Sequence, residues 1–144
     1  AGRGSAGSVV GLFWGRMEFG PRALGRRSLL CVATDGSINA SLNARLRRTE
    51  FMPFAPVTLR EHAAEAYEGW SDEDEASRYM AICYQTTMSL KERCPAVVHL
   101  DGTARPQVVD ERDGVYFLIL QEYCKLSGIP TLINTSFNIH EEPI

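Results

Sequence analysis

The stretch GVYFLILQEYCKLSGIPTLINTSFN, Gly114 to Asn138, decides the fold. Gly114 to Ser127 is long and apolar along one side, and Gly128 followed by Pro130 is a helix stop. It predicts a helix. Ile129 to Asn134 then reads as an apolar strand that delivers Thr135, Ser136 and Asn138 at its end. A helix feeding straight into a buried strand is the repeating unit of α/β architecture.

Working outward, Val9 to Trp14 is an apolar run between Gly7 and Gly15, so a strand. Arg22 to Arg26 forms a short helical turn, because Pro21 suits a first helical position. Ser28 to Ala33 reads as a strand, and Asp35-Gly36-Ser37 caps a helix from Ile38 to Arg47. Phe54 to Leu59 is a strand that Pro53 and Pro56 place on an edge or at a bulge. Glu61 to Tyr67 is helical, acidic Gly69 to Ser77 a solvated loop, Tyr79 to Gln85 a strand and Met88 to Arg93 a helix. Val97 to Leu100 and Gln107 to Val109 are short strands around the polar turn Asp101 to Pro106. The mixture of strands and helices predicts an α/β (α+β) fold. At 144 residues it forms one domain over 9–144, with residues 1–8 as a flexible tail or the remnant of a cut. The ending Glu141-Glu142-Pro143-Ile144 carries no stop signal, so the piece is read as truncated there.

The charge is unevenly spread. Arg16, Arg22, Arg26, Arg27, Arg45, Arg47 and Arg48 face only Glu18 and Asp35 within Arg16 to Arg48, a local balance of +5 in a chain of net −3. A cationic region on an acidic protein attracts a small anion, not a nucleic acid. No apolar run nears the roughly 20 residues that span a bilayer. Cys31, Cys83, Cys94 and Cys124 lack the close pairing a metal site needs. They read as buried reduced thiols, which favours the cytoplasm.

Arg22 sits between Gly20-Pro21 and Ala23-Leu24-Gly25, where two glycines remove steric cover. A guanidinium presented this way meets an oxyanion with parallel hydrogen bonds; the plainer reading pairs Glu18 with Arg22 or a neighbour on the surface. Arg45, Arg47 and Arg48 suit a helix C-terminus whatever else they do. His99 alternates with Val98 and Leu100 and carries no signal of catalysis. Arg105 is the better candidate in its turn, since Pro106 holds it extended. Ser136 and Asn138 share a face past the last strand and suit a phosphate or hydroxyl, or equally a local turn. No common phosphate-binding loop occurs.

Gly15 to Gly25, Arg48 to Pro56, Asp101 to Gln107 and Asn134 to Asn138, in that order, resemble the C-terminal domain of NodU/CmcH-type O-carbamoyltransferases. The resemblance runs from about Val9 to Ile144. It implies a YrdC-like fold, a twisted open mixed sheet with helices and a basic cavity, that takes carbamoyl phosphate and ATP, with Mg²⁺, to a carbamoyl-adenylate. A separate N-terminal domain of actin-like fold, holding iron, would then carbamoylate a hydroxyl acceptor. Residue by residue, it implies catalytic, anion-holding roles for Arg22 and Arg105. It adds phosphate-binding roles for Ser136 and Asn138, and for Arg47 and Arg48 in the basic stretch. Some members have Lys and then Arg before Pro-Phe-Ala-Pro; here Met52 takes the arginine's place and Leu46 stands near the lysine's, so Arg45, Arg47 or Arg48 substitutes. No metal ligand is expected in this domain. The alternative is a non-catalytic nucleotide- or RNA-binding module of the same fold, against which net acidity and a lack of interleaved exposed aromatics argue.

Overall fold

The computed structural model describes residues 8–47 and 54–138. Its elements run β1 (Val10–Phe13), β2 (Arg27–Val32), α1 (Ile38–Arg45), β3 (Ala55–Leu59), α2 (Ala63–Ala66), β4 (Tyr84–Gln85), α3 (Met88–Arg93), β5 (Thr103–Ala104), β6 (Gln107–Val109), α4 (Val115–Ser127) and β7 (Thr131–Ser136). Five strands form a mixed sheet in the order β1-β2-β7-β3-β6, while β4 and β5 make a separate ribbon. Only β3 and β6 pair in parallel; the other neighbours are antiparallel. The α/β expectation holds.

Strand alternation divides the core. Leu30, Val57, Leu59, Val109 and Leu132 face α4 and meet Tyr116 and Leu120. Cys31, Val108 and Ile133 point the other way, into a larger cluster with Ile38 and Leu42 of α1, Ala63 of α2 and Leu90 of α3. Each fully buried aliphatic side chain contributes about 1.5–3 kcal/mol, so both layers are needed to hold the sheet. The α4 stop is as expected. Gly128 takes a left-handed φ of 72°, and its N–H closes on Cys124 O at 2.8 Å.

Several local expectations fail for physical reasons. β3 lies between β7 and β6 rather than at an edge. Leu59 N–H donates to Pro130 O, so alternate N–H groups turn toward β7 and position 56 turns the other way. Pairing with β6 starts only at Val57, and Pro56 is asked for no ladder bond. Arg22 to Arg26 is a bent loop, not a helical turn. Only Tyr84–Gln85 of the predicted Tyr79–Gln85 strand pairs, and Pro95–Val97 is a single 3-10 turn where a strand over Val97–Leu100 was expected.

The acidic segment is more than a solvated loop. Asp74 caps a 3-10 turn over Glu75–Tyr79, and Arg78 in that turn is buried against Asp110 at 2.7 Å and Asp113 at 3.0 Å. Of the four thiols, Cys31 and Cys94 are buried, and burial pushes each up to about 11. Cys83 is exposed and Cys124 partly so, which corrects the expectation of four buried thiols. The leading residues 1–7, Arg48 to Pro53 and the ending 139–144 lie outside the described residues.

Candidate functional site

At one end of the sheet β7 finishes while β2 and β3 begin, and there a cavity of about 160 Å³ opens. Pro21, Arg22 and Ala23 line it from the loop before β2. Phe54 and Ala55 line it at the start of β3, and Asn134, Thr135 and Ser136 at the end of β7, with Met80 and Arg105 completing the wall. Residues separated by more than a hundred positions thus share one space.

The loop carrying Arg22 is held by its own sequence. Glu18 Oε1 accepts the N–H groups of Leu24 and Arg26, at 2.6 Å each, and Oε2 lies 3.3 Å from Arg27 Nε. A carboxylate satisfying these amides replaces the bonds a helical turn would make, which is why the expected turn is absent. Ser28 Oγ accepts from Gly25 N–H at 3.0 Å, and Arg27 donates to Gly20 O at 2.9 Å. From the sheet, Asn134 Nδ2 donates to Ala23 O at 2.9 Å and Gln107 Nε2 to Leu24 O at 3.0 Å. Gly25 has φ 103°, and a Cβ there would stand 2.4 Å from the Tyr116 ring, so α4 packs directly behind the loop.

Glu18 therefore pairs with Arg27, the neighbour, and leaves Arg22 to the cavity. No ion pair among the described residues involves Arg22 or Arg105. Arg105 Nε is buried without a hydrogen-bond partner among those residues. Burial, and then the nearby Arg22 charge, push the Arg105 guanidinium below its ordinary value. Two like charges held near each other, with no carboxylate of the described residues paired to either, favour an anion between them. Ser136 adds a short neutral hydroxyl at the same cavity.

The remaining candidates are not brought in. Asn138 follows β7 and does not line the cavity; Arg47 is exposed past α1, at φ 53°. Arg48 lies outside the described residues. His99 Nδ1 lies 3.1 Å from Thr103 Oγ1, and burial holds the imidazole below its ordinary value. Asp101 accepts from the Thr103 N–H and hydroxyl. This turn is a support for the approach to Arg105. Sequence reasoning missed Met80, a buried non-glycine at φ 54° whose left-handed backbone turns it into the cavity wall. It gave no role to Gln107 and Asn134, which end and begin two of the quoted motifs and place an amide within an apolar strand. Exposed aromatics do interleave with arginine here. Phe13, Trp14 and Phe19 are exposed on either side of Arg16, which removes one of the two grounds against RNA.

The sequence of residues 3–144 matches the family model described as carbamoyltransferase C-terminus. It is 41% identical over 133 residues to Nodulation protein U of Azorhizobium caulinodans, covering 92% of this chain and 23% of that protein. Against Nodulation protein NolNO of Sinorhizobium fredii it is 39% identical over 140 residues, 96% of this chain and 20% of that one. An uncharacterized protein of Methanocaldococcus jannaschii is 36% identical over 140 residues, 96% of this chain and 22% of its own. The chain thus spans about a fifth to a quarter of the length of these relatives. With a match over nearly its whole length, the chain belongs to the carbamoyltransferase C-terminal family.

Proposed function

We propose that this chain is the activating part of an O-carbamoyltransferase, binding carbamoyl phosphate and ATP and yielding carbamoyl-adenylate. A further domain of actin-like fold, holding iron, passes the carbamoyl group to a hydroxyl acceptor, and the YrdC-like kinship belongs to the same proposal. The observation that carries the reading is the pair Arg22 and Arg105, facing one cavity with neither charge paired to a carboxylate among the described residues. Chemistry on phosphoryl groups needs charge neutralisation more than it needs a nucleophile. Arg22 and Arg105 supply fixed positive charge, Ser136 a neutral donor, and Mg²⁺ arrives with the nucleotide. Phe54, Ala55 and Met80 form an apolar wall that strengthens each ionic contact by excluding water.

Isothermal titration with carbamoyl phosphate and ATP, separately and together, tests this. Arg22→Ala and Arg105→Ala should each weaken carbamoyl phosphate binding by about 1.5–3 kcal/mol while the fold stays intact. Unchanged affinity in both variants refutes the assignment. The second reading, an RNA-binding module, is favoured by the exposed Phe13, Trp14 and Phe19 beside Arg16. Titration with a single-stranded RNA separates the two: Phe19→Ala and Trp14→Ala weaken RNA binding if that reading holds and leave carbamoyl phosphate untouched.

A further inference from the structure

Two amide side chains deep in the sheet reach the loop that presents Arg22. Asn134 of β7 and Gln107 of β6 are each 1% exposed. β3 runs between their strands, with Ala55 opposite Asn134 and Val57 opposite Gln107. Alternation puts these residues on one face. Ala55 offers only a methyl group there, which leaves the amides room to meet across β3. Asn134 Nδ2 donates to Gln107 Oε1 at 2.8 Å.

Both then donate to the loop, Asn134 to Ala23 O and Gln107 to Leu24 O, at 2.9 and 3.0 Å. Those carbonyls belong to the two residues directly after Arg22. An amide buried in a strand costs free energy unless its partners are fixed, and here the partners are the backbone beside an arginine of the cavity wall. The chemistry of position 107 is specific. Its side chain must accept from Asn134 and donate to Leu24 O at once, which an amide does and neither a carboxylate nor a thioether can.

We propose that Gln107 and Asn134 are positioning residues that aim the Arg22 guanidinium into the cavity, coupling its loop to the strand that bears Ser136. This rests on the anion-binding reading of the cavity. Gln107 lies outside the cavity lining, and Asn134, which borders the cavity, is assigned the same action through Arg22.

The test uses Gln107→Met, which keeps length and bulk but loses both hydrogen bonds, in the 144-residue chain. Carbamoyl phosphate affinity should fall about tenfold in the parent background. With Arg22→Ala already present it should fall less than about twofold, since the residue acts through Arg22. Amide hydrogen exchange should quicken about tenfold at Leu24 and Arg26 and stay unchanged at Leu59 and Ile133. Equal losses in both backgrounds, no loss, or uniformly faster exchange would overturn the proposal. If Gln107→Met fails to fold, Asn134→Thr, suited to a strand but too short to reach the loop, is held to the same outcomes. A parent chain that binds no carbamoyl phosphate defeats the ligand reading instead, and the exchange arm alone then decides whether Gln107 holds the loop.

Discussion

At the end of the sheet Arg22 and Arg105 face one cavity and, among the described residues, make no ion pair, whereas beyond β6 Arg78 is gripped by Asp110 and Asp113. The second cluster is larger. Arg112 also reaches Asp110, at 2.8 Å, and Glu75, at 3.4 Å. Arg60 lies 3.1 Å from Asp72 and 5.7 Å above the Trp70 ring. The residue type is the same and the environments are opposite. Paired guanidinium groups join distant segments, and their charge is already met by carboxylates. Unpaired ones leave an electrostatic demand that a bound anion meets.

The largest effect that could break this contrast is on stability. Arg78→Ala takes from Asp113 its guanidinium partner and leaves Asp110 to Arg112 and Arg60 at a partly buried site, and should cost about 3 kcal/mol in urea unfolding. Arg22→Ala should stay within about 0.5 kcal/mol. Similar losses for both would mean the clusters do not differ in kind.

A smaller structural effect concerns the wall behind the site. Gly25→Ala combines φ 103° with a Cβ placed 2.4 Å from the Tyr116 ring. It should cost about 1–3 kcal/mol of stability and weaken carbamoyl phosphate binding, because the loop must shift. Retained affinity in a destabilised Gly25→Ala variant would show that Arg22 does not depend on this packing.

Acid sharpens the comparison further. Hydrogen bonding from Arg112, together with the Arg78 charge, holds the Asp110 carboxyl well below the usual carboxylate range. Its folded value lies below its unfolded one, so its contribution is fully present above the unfolded pKa of about 4 and fades as pH falls below that. Asp110→Asn should lower stability at pH 7 and flatten the acid limb of the stability profile. A parallel acid limb in parent and variant would remove Asp110 from the account. The smallest effect is expected at Arg112→Ala, where the side chain is more than half exposed. Screening by water keeps that loss the smallest of the series in the same urea unfolding, and a loss equal to that of Arg78→Ala would show that exposure does not separate them.

Much of the cavity was legible before the fold was known. Arg22 and Arg105 stood out because glycine and proline neighbours restrict their backbone, and Ser136 because it ends an apolar run. The brace was not legible. Arg78 lies 32 positions from Asp110 and 35 from Asp113, and no local pattern links residues so far apart. The acidic run around it suggested only solvation. Asn138 and Arg47 had the right chemistry in the right motifs, yet the chain carries them past the cavity.

By itself the sequence determined what depends on neighbours along the chain. Gly128 and Pro130 end α4 through their own backbone preferences, and the apolar run after them can satisfy its side chains only as a buried strand. Glycines around Arg22 likewise uncover it whatever the rest does. Tertiary structure alone decided which charges are cancelled and which are left open. That question is settled by distance in space: Glu18 turns to Arg27 and the amides of Leu24 and Arg26, Asp110 and Asp113 turn to Arg78, and Arg22 and Arg105 are left facing each other. Central placement of β3 also came from the fold, since Pro56 is harmless only because β6 pairs from Val57 onward. Hydrogen bonds and ion pairs act over a few ångströms, and only the packed chain sets which groups come that close.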